Sequence, residues 1–493
     1  MYPSREAAGC CGGYLHFKKN SMGNTYFKYR NYAHFDKRIS IRDGRKLATD
    51  PNYVAKHGFY PFLHFTLLLN RYRRKKETSA ERREPKPREI YYAAHIDRYI
   101  YQQYAYLLNK AYNAYCARHD LNDVALAYRT NKKGKCNIHF AKEAFDFLKN
   151  HSGTVVITGD FEHFFDNLNH TYLKQCLQTV LGVERLSDDW FAVYKNICCF
   201  SYVDIIQILK HNRSLHDDTL PVTRRQLNRR EVVFSIQDLR RNHCDWILPL
   251  KKDKKDYGIP QGSPISGVFA NVYLIEFDQM LHQICRQVGG FYRRYSDDFI
   301  IILPNTPLSR VDDIKKQVFD ITGKIAEKGR LILQPEKTKS FYFQDRNILD
   351  LLSNKTSKDD PGVHIDFLGF RFNGENVDLR QKTVDRNNNK IMHKARRIMK
   401  MRGYMRQDGT VVKLSFRPLI KNVGKNYVSS QDAQGRKRKQ SAFNAYLKRS
   451  AKIFEGEPLL EWRYVNRKNH AVRLMTRVNC RSREGASSDR DPS

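Results

Sequence analysis

The 493-residue chain has no run of about 18 apolar residues, the nearest being Phe59 to Leu69, and no charged-then-apolar opening segment. Neither a membrane span nor a secretory leader is indicated, and a soluble, cytoplasmic protein with no membrane partner is expected. Ten cysteines occur, among them the adjacent pairs Cys10-Cys11 and Cys198-Cys199, but none stands in a CxxC spacing. Zinc ribbons and disulfide frameworks are therefore not indicated, and a reducing compartment fits. Acidic residues are scarce as well: 52 Asp plus Glu face 88 Lys plus Arg, a formal charge of +36 that is spread along the chain. So large an excess repels itself unless a polyanion neutralises it, and basic residues gain affinity for phosphates by releasing counterions. Nucleic acid is the expected partner.

The acids that do cluster are informative. Phe291 to Leu303 reads as two apolar, β-branched and aromatic runs flanking Asp297 and Asp298, the pattern of a β-hairpin with a carboxylate pair at its turn. Asp also suits an ordinary solvated turn, but adjacent carboxylates repel, and a cation is the usual reason to keep them together. Upstream, Thr154 to Gly159 is a β-branched run that delivers Asp160 at the end of a buried strand, followed by a turn and a helix over about 167–181. Three carboxylates gathered in this way make a pocket for two Mg²⁺ ions, with Mn²⁺ as the alternative, and suit phosphoryl transfer by positioning and charge.

These residues resemble a family. Tyr295-Ser296-Asp297-Asp298 resembles the YxDD box of reverse transcriptases, and Asp160 to Asn167 their first palm motif. Gly258-Ile259-Pro260-Gln261-Gly262-Ser263-Pro264 resembles the third, and 328–338 and 367–370 resemble the last two, all in the family's order over about 85–375. The resemblance implies an α/β (α+β) right-hand polymerase that copies RNA into DNA. Asp160, Asp297 and Asp298 would be catalytic, and with the Phe161 backbone carbonyl they would ligate the metal. Arg129 and Lys135, in the basic loop 127–135, would grip the dNTP triphosphate; Gln261 would lie under nucleotide and template base. Phe165 would exclude a ribose 2′-hydroxyl, and Lys337 would touch phosphate near the active-site floor. A template/cDNA hybrid and dNTPs follow as ligands, and a homo-oligomer is compatible with the resemblance.

Three regions are expected: an N-terminal extension with a charged linker (1–84), fingers and palm (85–375) with a basic insertion at about 188–257, and a basic helical thumb (376–493) with a disordered tail from Arg481. A helix is predicted over 90–115 and another over 312–328, leading into a strand at 330–333. The aromatic N-terminal half resembles bacterial reverse transcriptases of phage defence and abortive infection. That resemblance implies a dedicated structured noncoding RNA, with Phe35, Tyr60 and Phe62 available to unpaired bases. Intron-encoded, retron-type, protein-primed and template-independent enzymes, and an RNA-binding scaffold, are the alternatives.

Overall fold

The computed structural model describes residues 26–69, 86–216, 227–249, 256–334, 337–405 and 443–487, with short stretches at 410–413, 416, 419, 428–431 and 437–439. The first two strands, β1 (Phe62–Leu69) and β2 (Lys86–Tyr92), form an antiparallel hairpin. Strand β3 (Thr154–Asp160) is central to the largest sheet among the described residues. The sheet begun by the hairpin continues with β4 (Ser201–Asp204) and β5 (Leu248–Pro249) in the order β2-β1-β4-β5. Five more strands follow: β6 (Phe291–Tyr295), β7 (Asp298–Leu303), β8 (Lys339–Gln344), β9 (Asn347–Asp350) and β10 (Lys355–Thr356). With β3 they make a six-stranded sheet in the order β10-β9-β8-β3-β7-β6.

Successive residues of a strand face opposite sides of its sheet, and β3 shows this alternation in a strand buried on both. Val155 and Ile157 join one core with Phe269 and Phe277, whereas Val156 joins another with Phe140 and Phe145. The helices are α1 (Ile41–Ala48), α2 (Pro51–Lys56), α3 (His95–Arg118), α4 (Asn137–Lys149), α5 (Phe164–Asn167), α6 (His170–Leu181), α7 (Asp188–Cys198) and α8 (Ile205–His216). They continue with α9 (Ile236–Asn242), α10 (Ser266–Tyr273), α11 (Ile275–Gln287), α12 (Val311–Gly329), α13 (Gln381–Lys400), α14 (Phe443–Ile453) and α15 (Pro458–Ser487).

Several expectations need correction. The helix predicted from residue 90 starts at His95, because Ile90-Tyr91-Tyr92 pairs with Leu63 to Phe65 and β-favouring side chains find a strand partner there. The boundary expected at 84/85 lies between the two arms of this hairpin, which pair with each other. The basic insertion joins the same sheet: Tyr202 and Val203 pair in parallel with Phe62 and Leu63. Phe35 and Phe62 are buried, and Tyr60 packs against the same cores, so the first two are not available to bases. The strand predicted at 330–333 reduces to one bridge between Leu333 and Phe161, because Arg330 takes a left-handed conformation that closes α12.

In the C-terminal region, α13 and α15 pack through Ile391, Ala395 and Ile398 against Ala471, Leu474 and Met475. Antiparallel ribbons at 403–405 with 411–413 and at 428–431 with 437–439 interrupt the all-helical expectation. The last helix runs to Ser487, through part of the tail expected to be disordered, while 488–493 lie outside the described residues. Among the described residues no helix is long and apolar enough to cross a membrane.

Candidate active site

Cross-strand register builds the site. β3 and β7 pair antiparallel from Val155↔Leu303 to Asp160↔Asp298, which sets the last residue of one strand opposite the first of the other. Facing residues of an antiparallel pair lie about 5 Å apart at Cα, so two carboxylates share one end of the sheet. Asp297 joins them from the β6–β7 turn, which closes tightly because Ser296 is left-handed, φ 63°. The charge balance here is one-sided: burial and the neighbouring Asp160 raise the Asp297 pKa above the usual carboxylate range. Water reaches Asp298, yet the walls of the cleft crowd it, and this desolvation, with the charges of Asp297 and Asp160, pushes it up to about 7.

The turn is held from behind by an ion pair in the core. Arg294 donates through Nε and Nη2 to both Asp278 oxygens at 2.8 and 2.6 Å, and Tyr292 Oη donates to Asp278 Oδ1 at 2.8 Å. Burial alone would lower the Arg294 pKa, but the Asp278 carboxylate raises it above its ordinary value. The remaining arm, Nη1, donates to the Ser296 carbonyl at 2.8 Å and to Asn271 Oδ1 at 3.2 Å. Sequence reading missed this pair. Its legible signal was Asp278, an acid on the buried α11 stripe of Ile275, Phe277, Leu281 and Cys285.

Lys337 reaches the active-site floor, where Nζ forms an ion pair with Asp160 Oδ2. Arg380, also missed, lies near enough for its charge to lower the Asp298 pKa and pairs with Asp366 Oδ2 at 3.0 Å. Phe161 buries its ring against Phe164, Phe277 and Phe299, leaving only its backbone for a metal. Among the described residues no three of His, Cys, Asp and Glu stand together as a ready metal-ligand set. The donor chemistry nevertheless fits a hard divalent cation: carboxylates face one another, and two of them are destabilised as anions by burial and by the neighbouring negative charges.

Phe165 is half-buried, its ring edge-on to Phe164, and its carbonyl accepts from Ile259 N at 2.9 Å. That bond brings the 258–266 loop beside the Asp160 segment. Gln261 lies in this loop, its carbonyl accepting from Tyr91 N at 2.8 Å. Gly262 is required next to it: φ is 120°, and an added Cβ would stand 2.4 Å from the Tyr91 oxygen. A pocket of about 410 Å³ adjoins the same junction, lined by Tyr91, Glu162, Asp166, Asn167, Tyr257 and Gly258.

The two triphosphate candidates are placed differently from expectation. Arg129 is buried, with donors spent on Asn113 Oδ1 at 2.6 Å, on the Asn122 and Ala125 carbonyls at 3.1 Å and on Asn122 Oδ1 at 3.0 Å. It fixes the fingers loop and has no fork to offer a phosphate. Lys135 pairs with Glu143 Oε1 at 2.6 Å and is half-exposed, so only side-chain rearrangement would free it. The same loop presents Tyr128, a residue with φ 58° whose hydroxyl lies 3.5 Å from Ser296 Oγ.

The family described as "Reverse transcriptase (RNA-dependent DNA polymerase)" matches residues 106–372, more than half of the chain. No curated protein matches the sequence. Among solved structures, the apo telomerase from Candida tropicalis truncated from its C-terminal domain is 13% identical with a TM-score of 0.38, covering 70% of this chain and 61% of that one. Apo telomerase from Candida tropicalis gives 14% and 0.34 over 65% and 48%. Telomerase from Candida albicans in complex with a TWJ fragment of telomeric RNA gives 12% and 0.36 over 87% and 64%. The chain thus spans about half to three fifths of the two Candida tropicalis chains, and TM-scores this low carry no argument. On the family match, together with the paired carboxylates of β3 and β7, the chain belongs to the reverse transcriptase (RNA-dependent DNA polymerase) family, with the right-hand polymerase fold.

Proposed function

We propose that this protein is an RNA-directed DNA polymerase that makes cDNA by two-metal nucleotidyl transfer at Asp160, Asp297 and Asp298. The observation that carries the reading is the β3–β7 register, which sets Asp160 against Asp298 beside a left-handed turn bearing Asp297. Mg²⁺, when bound, supplies positive charge that activates the primer 3′-hydroxyl and neutralises the departing pyrophosphate. Asp160, Asp297 and Asp298 would hold the cation, and Lys337, paired with Asp160 in its absence, would then be free to face the phosphates. Phe165 stands five residues after Asp160 and lies against the 258–266 loop, a position suited to checking the sugar.

The template is a dedicated structured noncoding RNA, and the setting is bacterial antiphage defence in the cytoplasm; both rest on the sequence resemblance of the N-terminal half. The +36 charge and the solvent-facing Arg386, Lys390, Lys394 and Arg397 of α13 support an extended RNA or hybrid surface. Asp297→Asn removes one anion from the metal pocket, so dNTP incorporation on a primed RNA template should fall by more than about a thousandfold, with melting behaviour retained. Near-parental incorporation by that variant would refute the site. A parent protein that binds RNA yet incorporates nothing with Mg²⁺ would favour a scaffold. RNA crosslinked in cells and sequenced after a high-salt wash should yield one dominant transcript encoded near the gene; a broad cellular sample refutes the dedicated RNA.

A further inference from the structure

We propose that the ring of Tyr128 is a stacking platform for the template nucleobase at the primer end of the duplex, a proposal that rests on the polymerase reading above. Tyr128 adopts a left-handed backbone, φ 58°, which bulky residues avoid and which persists only where surroundings impose it. Two buried asparagines impose it here. Asn271 Nδ2 donates to the Ala127 carbonyl at 2.8 Å, and Asn109 Nδ2 donates to the Tyr128 carbonyl. Asn109 Oδ1 also accepts from Thr130 N at 2.9 Å, so the carbonyls of residues 127 and 128 and the amide of residue 130 are fixed from below.

The ring is then laid on a glycine. A Cβ at Gly267 would stand 2.9 to 3.0 Å from three Tyr128 ring atoms, so only glycine lets the ring rest on α10. Backbone strain, two buried amides and a cleared floor hold an aromatic that remains 51% exposed. A ring serving only the core would be covered. This one offers surface to the cleft, and aromatic faces bind unpaired or terminal bases irrespective of sequence.

Position selects the base. Asp160 ends β3, β7 is its neighbour and β6 the next, and beyond β6 the fingers segment adds a parallel bridge from Ala125 to Arg294. Tyr128 follows that bridge, three strands or roughly 14 Å from β3 at the spacing of hydrogen-bonded strands. Its ring reaches back until its hydroxyl stands 3.5 Å from Ser296 Oγ in the β6–β7 turn, so the ring covers the interval about 10 Å from Asp160. The primer 3′-end must lie at the carboxylates. A base-pair's breadth away stands the template partner, and Tyr128 meets it there.

The test uses a primer–template whose template base opposite the primer terminus is 2-aminopurine, with the full chain and its Tyr128→Leu, Tyr128→Phe and Gly267→Ala variants. Stacking should quench the probe in the parent and in Tyr128→Phe. Tyr128→Leu should lose the quench and bind the duplex about five- to a hundredfold more weakly. Gly267→Ala keeps the tyrosine but displaces its ring, and should reproduce the loss. Tyr128→Leu matching the parent in quench and affinity, while the parent incorporates dNTPs, overturns this contact alone, as does Tyr128→Phe failing as badly as Tyr128→Leu. A parent that neither binds the duplex nor incorporates dNTPs overturns the polymerase reading and this proposal with it.

Discussion

Asp278→Asn tests how the carboxylate turn is held. Arg294 is wholly buried, and Asp278 nearly so; the pair exchanges two charge-assisted hydrogen bonds while Tyr292 supplies a third to the acid. An amide in place of the carboxylate leaves the guanidinium charge buried without its counterion, and breaking a buried pair in this way costs about 3–5 kcal/mol. For a domain of this size that corresponds to a fall in Tm on the order of 10 °C. Arg294 would also turn from the Ser296 carbonyl, so dNTP incorporation should fall further than the unfolded fraction accounts for. The double variant Arg294→Met/Asp278→Leu removes both charges and should recover much of the lost stability. It lacks the donor to Ser296 and should stay impaired in synthesis. Thermal melts and incorporation at a temperature well below either transition separate the two effects. A single variant melting within about 1 °C of the parent, or a double variant that regains full synthesis, would refute the assignment of Arg294 as the positioning residue of the turn.

Two further outcomes follow from the site. Phe165→Ala should admit ribonucleotides while dNTP use falls less, measured as the ratio of kcat/KM values; unchanged rejection of ribonucleotides would remove Phe165 from sugar selection. In EDTA, Asp298 titrates near 7 in the folded state against an ordinary carboxylate value near 4, so the folded form binds the extra proton between those limits. Stability therefore declines as pH rises through that window, and Asp298→Asn should flatten the slope of Tm against pH. Buried His34, held near 3, acts in the opposite sense below about 6.5, so the difference between parent and variant is the quantity to read.

The clustering of the three candidate carboxylates was legible because its parts are local: strand-forming runs end in acids, and a two-residue turn is written in consecutive letters. The 258–266 loop was legible for the same reason, through glycines that only close approach explains. Arg129 was misread because a basic loop looks alike whether its guanidinium faces solvent or is claimed by Asn113 and Asn122. The β1–β2 hairpin was hidden by the charged stretch between its arms, and β4 by its pairing with a strand far away in sequence. Arg294 with Asp278 was recoverable in principle. An acid on an apolar helical stripe predicts a buried cation, but not which one.

The parallel pairing of β1 with β4 has a consequence for how the chain is made. Phe62 emerges from the ribosome about 140 residues before Tyr202, the residue it pairs with. At synthesis rates of about 5–20 residues per second the gap is on the order of ten seconds. During that interval the hairpin can close on β2, but its other edge, carrying Phe62 and Leu63, has no strand to complete it. Open apolar edges recruit other chains. High ribosome loading should therefore favour aggregation through this edge, and chains truncated before residue 204 should be insoluble even though most of the N-terminal helices are present.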